Sequence, residues 1–154
     1  MGARSKKLKK PLGTKAEQLL EQTVFYVDRC LGRQVATELR GAGLKIEEHL
    51  DHFADDEDDD VWLPQVAKKG WVVLTKDKAM RKKPNERACI IENQVRMFTL
   101  PNGNLTGLQM IERYLSSKLR IARFLCDNEG PFIAVVQADS ISSRPLEPEA
   151  NQKS

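Results

Sequence analysis

The sequence predicts a single α/β domain built on an open, mostly parallel sheet with helices on both faces. Three observations carry that expectation. Apolar runs of strand length, among them Val24–Val27, residues 71–75 and Phe132–Val136, alternate with stretches of helical periodicity. The run Trp71-Val72-Val73-Leu74-Thr75 has no polar alternation, which is the pattern of a strand covered on both faces. Two of the runs also meet a carboxylate as they end, at Asp28 and Asp77, and in such sheets ligands collect beyond the carboxyl ends of the strands.

Taken in order, residues 1–13 form a basic arm (Arg4, Lys6, Lys7, Lys9 and Lys10, with Pro11 and Gly13), expected to be flexible. Thr14 and Glu17 make a capping box that opens a short helix through Glu21. After the strand at Val24–Val27, the residues Leu31, Val35, Ala36 and Leu39 share one helical face, and Gly41 and Gly43 supply the stop. Residues 44–50 read as a second strand. The acidic run Asp55-Asp56-Glu57-Asp58-Asp59-Asp60 leads into a helix marked by Val61, Trp62, Val66 and Ala67. Pro64 is expected in its first turn, where a missing N–H costs least, and Gly70 ends it. A helix over 85–93 and a strand over 95–100 follow. Thr106 and Gln109 form a second capping box, opening one long helix with Met110, Ile111, Tyr114, Leu115, Leu119 and Ala122 on its apolar side. The Ser, Pro and Glu residues of 138–154 read as a disordered tail, which leaves 14–137 as the domain.

Composition removes several classes of function. The 154 residues suffice for one real core, and 40% hydrophobic with 31% charged residues describe a well-solvated globule. No apolar run approaches the ~20 residues that cross a bilayer, and the charged N-terminus is followed by no hydrophobic signal segment, so the expected location is the cytoplasm. Cys30, Cys89 and Cys126, odd in number and far apart, suit reduced thiols. His49 and His52 form an HxxH without a nearby cysteine and read as two surface histidines rather than a zinc pair. Neither a Gly-rich phosphate loop nor a GxSxG nucleophile is present.

The net charge of +3 says less than its segregation into basic and acidic stretches. In a parallel sheet Asp28 and Asp77 reach the same edge, and Asp59 and Asp60 begin a helix whose N-terminus faces it. Carboxylates gathered there repel one another unless a cation binds them or a proton neutralises one. Mg²⁺ or Mn²⁺ prefers such oxygens and bridges readily to phosphate, so phosphodiester hydrolysis is the chemistry this pattern supports. Thr75 could donate its hydroxyl to a metal-bound water or to a carboxylate, or serve simply as a good strand residue. Lys76, Lys78, Arg81, Lys82 and Lys83 would seat a polyanion such as RNA, or keep the surface soluble. Taken alone, Asp28 could be a helix cap, and Asp55 through Asp58 a solvated loop. The acidic run is no EF-hand, since Val61 stands where Gly is needed and Ala67 where Glu is needed.

The segments Phe25-Tyr26-Val27-Asp28-Arg29, Gly70-Trp71-Val72-Val73-Leu74-Thr75-Lys76-Asp77-Lys78 and Gly103-Asn104-Leu105-Thr106-Gly107 resemble the PIN-like domains of VapC-type toxins from prokaryotic toxin–antitoxin modules, over roughly residues 23–136. The resemblance implies a PIN-like fold, a Mg²⁺-dependent ribonuclease with a cluster of acids, an antitoxin partner and a common tendency to pair as a homodimer. Its first acid is matched by Asp28, its second by Asp59 with Asp60 as the alternative, and its third by Asp77 in a T-x-D motif with Thr75. A further acid after the first helix has three candidates, Glu47, Glu48 and Asp51. Arg29 and Cys30 stand where related proteins often carry an extra acid, which thins the carboxylate cluster. Two functions therefore compete: a metal-dependent endoribonuclease toxin, or a PIN-like module that binds nucleic acid or protein without cutting, through its basic arm and the helix after Thr106.

Overall fold

The computed structural model describes residues 14–76, 83–143 and 146. Thr14 caps α1 (Lys15–Gln22): its hydroxyl accepts from the Glu17 amide at 3.1 Å while the Glu17 carboxylate accepts from the Thr14 amide at 2.8 Å. There follow β1 (Val24–Val27), a 3₁₀ turn (Arg29–Leu31), α2 (Arg33–Gly41), β2 (Lys45–Glu48), a second 3₁₀ turn (His49–Asp51) and α3 (Asp59–Lys68). Next come β3 (Val72–Leu74), α4 (Pro84–Glu92), β4 (Arg96–Thr99), α5 (Gly107–Ser116), α6 (Lys118–Asp127), β5 (Phe132–Val136) and β6 (Ile141–Ser143).

The strands form one sheet in the order β2-β1-β3-β4-β5-β6, with only the last pair antiparallel. The expected mostly parallel sheet is thus present, with helices on both faces. Strand alternation divides the core in two. Phe25, Val27, Val72, Leu74, Phe98, Phe132 and Ala134 pack with residues of α2, α5 and α6, and α1 adds Leu19 and Leu20 to that side. Tyr26, Val73, Met97 and Ile133 point the other way, onto Trp62, Leu63 and Val66 of α3 and Cys89 and Ile90 of α4. No helix among the described residues is long and apolar enough to cross a membrane.

The structure corrects four expectations. Pro64 is not in the first turn of its helix, because α3 already starts at Asp59; it lies at the sixth position and denies the Asp60 carbonyl its helical partner. The helix survives because Trp62, Leu63 and Val66 around the proline are all buried. The long helix expected after Thr106 is two helices. Ser117, at φ −102° and ψ 3°, ends α5 by donating to the Arg113 carbonyl at 3.2 Å, and its own carbonyl accepts from Ile121 at 2.8 Å to start α6. The break lets α5 lie against α2 and α6 against α1. His49 is not a surface residue: it is 2% exposed. Within the stretch read as a tail, Ile141–Ser143 pairs with β5 as an edge strand.

Candidate active site at the carboxyl edge of the sheet

Asp28 follows β1 in extended conformation, and its amide still donates to the Leu74 carbonyl of β3 at 3.0 Å. Its side chain makes no capping hydrogen bond to the 3₁₀ turn that it precedes, so it is not a helix cap. Instead its Oδ2 accepts from the Thr75 hydroxyl at 2.9 Å, across the β1–β3 boundary. Both groups are buried, Asp28 to 6% and Thr75 to 0% exposure. Thr75 is fixed in turn: its amide donates to the Phe98 carbonyl at 2.9 Å, and its carbonyl accepts from the Tyr114 hydroxyl at 2.7 Å. The hydroxyl of Thr75 therefore orients one oxygen of Asp28.

Cys30 adds a contact that sequence reasoning did not foresee. Its Sγ lies 3.4 Å from Asp28 Oδ2 and 3.2 Å from Thr75 Oγ1. Burial, reinforced by the negative charge of Asp28, pushes the thiol up to about 11, so it stands beside the carboxylate as a neutral group.

Asp59 and Asp60, alternatives in the sequence, are distinguished by their surroundings. Asp59 opens α3 half-buried, and its Oδ1 accepts from the Trp62 indole N–H at 3.0 Å. Asp60 is exposed. Burial raises the Asp59 carboxyl above its usual range; Asp28 and Glu86 push the same way, against the Trp62 hydrogen bond and the charge of Lys83. Asp59 thus senses Asp28 across the site. Beneath them, Trp62 packs on Tyr26 with ring centroids 5.0 Å apart, and the Tyr26 hydroxyl bonds to Nδ1 of His49. His49 Nε2 lies 2.8 Å from the Ala54 carbonyl, an acceptor, so Nε2 carries the proton and Tyr26 donates to Nδ1. This chain ties the start of the acidic loop to β1. The relation of Asp59 to Trp62, three residues apart and hence on one helical face, was the available signal.

The acidic residues 56–60 line an open cleft of about 270 Å³ together with Arg29, Asn85 and Glu86. Arg29, noted as standing where an acid is often found, therefore places a cation at this cleft. Of the candidates for a further acid, Glu48 pairs with Arg40 at 3.1 Å and lines one pocket with Asp28, Glu47 pairs with His52 at 2.7 Å, and Asp51 is exposed in the second 3₁₀ turn. Of the basic stretch, Lys76 is half-buried and Lys83 exposed. Asp77, Lys78, Arg81 and Lys82 lie outside the described residues.

The donor chemistry fits a hard divalent cation. Asp28 and Asp59 supply carboxylate oxygens; burial is the main cause of the raised Asp59 carboxyl, Asp28 adds to it, and a cation would favour the charged form of both. One further oxygen, the Thr99 hydroxyl at the end of β4, is buried without a hydrogen-bond partner among the described residues. Among the described residues no group of three or more His, Cys, Asp or Glu is close enough to hold a metal by itself.

A mostly parallel sheet with paired acids at its carboxyl edge is the frame of a PIN-like domain. The family model described as "PIN like domain" matches residues 23–102, and the chain belongs to that family. It is also similar to the protein named "Putative ribonuclease VapC45" of Mycobacterium tuberculosis (strain ATCC 25618 / H37Rv), with 31% identity over 122 residues that cover 76% of this chain and 88% of the relative. No solved structure matches the chain.

Proposed function

We propose that the protein is a metal-dependent endoribonuclease, the toxin of a toxin–antitoxin module, which hydrolyses RNA phosphodiesters at the strand-end carboxylates. The observation that carries this reading is the buried Asp28 carboxylate, oriented by Thr75 and sensed electrostatically by Asp59. Two acids held at one sheet edge repel each other, and such an arrangement is sustained where a cation is to be bound. The name of the relative VapC45 supports RNA as the substrate.

In this reading Asp28, Asp59 and Asp77 hold Mg²⁺, with Mn²⁺ able to replace it. Such a cation, when bound, supplies a more acidic water and charge stabilisation at the phosphoryl group. Thr75 fixes the Asp28 carboxylate, and Trp62 fixes that of Asp59. Asp59 serves in preference to Asp60, which has no such anchor. Lys76, Lys78, Arg81, Lys82 and Lys83 seat the RNA backbone, and Arg29 places a further cation at the acidic cleft. A partner antitoxin restrains the enzyme by covering this edge, and these roles are the same for a monomer and for a homodimer in the cytoplasm.

The test is cleavage of a mixed RNA pool by the purified protein with Mg²⁺ or Mn²⁺, alongside EDTA and the variants Asp28→Asn and Asp77→Asn. Cutting by the wild type that is lost with EDTA and in both variants is the expected result. Absence of cutting by the wild type in both metals would instead favour a PIN-like module that binds nucleic acid or protein without hydrolysis.

A further inference from the structure

Thr99 closes β4 with its hydroxyl buried, the residue 1% exposed, and without a hydrogen-bond partner among the described residues. Buried hydroxyls in folded proteins are mostly satisfied, and one that is not calls for an explanation, such as local strain, a catalytic role, or a water or ion that completes it. The position of this one is informative. Val27 pairs with Leu74 and Leu74 with Phe98, so the residues that follow, Asp28, Thr75 and Thr99, form a row across three neighbouring strands at the carboxyl edge. Val73 and Met97 face the α3 and α4 side, and strand alternation puts Thr75 and Thr99 on that same side, where Asp59 begins its helix.

The first two members of the row are already bonded to each other. Packing does not call for a hydroxyl at the third: valine has the same branched shape, and Val135 is the register partner of Thr99 on β5. A neutral hydroxyl does offer one thing that a fourth carboxylate would not. It adds a donor and acceptor to the row that starts at Asp28 without adding to the repulsion of the carboxylates.

We infer that Thr99 is a positioning residue of the acid site, its hydroxyl hydrogen-bonding into the hydration of a divalent cation held by Asp28 and Asp59. This inference rests on the metal-dependent reading above. It gives the hydroxyl a partner only when the site is loaded, and makes its role the tightening of metal binding rather than a step in hydrolysis. Outer partners of this kind are typically worth a 10- to 100-fold difference in metal affinity.

The test compares the full-length wild type, Thr99→Val and Thr99→Ser by thermal denaturation, by Mn²⁺ binding followed through the paramagnetic resonance of free Mn²⁺, and by metal titration of RNA cleavage. Thr99→Val removes an unbonded buried hydroxyl and keeps the shape, so it should melt no lower than the wild type without metal. Its Mn²⁺ affinity should fall about tenfold, with the metal needed for half-maximal cleavage rising equally and kcat at saturating metal preserved. Thr99→Ser should recover the affinity. Wild-type Mn²⁺ affinity in Thr99→Val overturns the inference, as does equal weakening in both variants, which would trace the effect to the methyl group. A wild type that neither binds Mn²⁺ nor cuts RNA is a different outcome and removes the metal-dependent reading together with this one.

Discussion

Replacing Trp62 with phenylalanine tests how the acid site is held in shape. Trp62 is 1% exposed, packs against Tyr26 with the rings tilted by 37°, and donates its indole N–H to Asp59 Oδ1 at 3.0 Å. Phenylalanine keeps the ring contact but not the donor. A hydrogen bond to a charged group contributes about 1.5–3 kcal/mol, and with Asp59 half-buried the lower end applies. The smaller ring also leaves a void, and since removing a whole Trp side chain costs about 3–5 kcal/mol, the missing part of the indole accounts for roughly 1–2. The sum is about 3 kcal/mol, or a melting temperature lower by about 6–12 °C for a domain of this size. Urea denaturation followed by circular dichroism, run on Trp62→Phe, Asp59→Ala and the double variant, separates the two parts. The cavity cost is common to both arms of the cycle, so the coupling isolates the N–H to carboxylate bond and should be about 1.5 kcal/mol. A coupling below ~0.5 kcal/mol, the scatter of independent sites, would refute the claim that Trp62 anchors Asp59.

Three further outcomes follow from the same geometry. Tyr26→Phe leaves the buried Nδ1 of His49 without its donor and should lower stability by about 1–3 kcal/mol in urea denaturation; a change within error would mean that the link to His49 carries no energy. The Asp59 carboxyl is held above the ordinary aspartate value of 3.8, so its contribution to folding is complete below that value and is lost as pH rises through the raised one. The stability difference between wild type and Asp59→Asn, measured in the absence of metal, should therefore move in favour of the wild type as pH falls from 7 toward 4, and a pH-independent difference would contradict the raised carboxyl. Cys30, pushed up to about 11, is almost wholly thiol at pH 8 and should react with iodoacetamide far more slowly in the folded protein than in urea. Labelling at the same rate in both, read by mass spectrometry of the Cys30 peptide, would show that its neighbours leave it unperturbed.

Much of the fold could be read from local pattern, and the exceptions share a cause. The runs at Val24–Val27 and Phe132–Val136 became strands with unchanged bounds, because a parallel strand covered on both faces writes itself as continuous apolar sequence. Ser117 carries no such mark. It interrupts a stretch whose apolar spacing continues through it, and only the separate docking of α5 on α2 and α6 on α1 makes the break favourable. Pro64 similarly sits inside a helix against its own propensity, since burial of its neighbours outweighs the lost hydrogen bond. In the site, the placing of Asp28 and Thr75 at strand ends was legible. The burial of His49 was not, because its partners Tyr26 and Ala54 lie on other segments and nothing in an HxxH spacing announces them.

The two flanks of the sheet bear on how copies of this chain can meet. An outer strand offers unpaired backbone groups to any passing chain, and long apolar outer strands seed aggregates. Here one flank is β2, four residues of which Lys45, Glu47 and Glu48 are charged, and the other is β6, three residues of which two are serine. Both are too short and too polar to serve as templates for strand addition. The apolar strands β1, β3, β4 and β5 are all interior, so growth of the sheet from molecule to molecule is suppressed at both flanks, and association between folded copies is left to helices and loops.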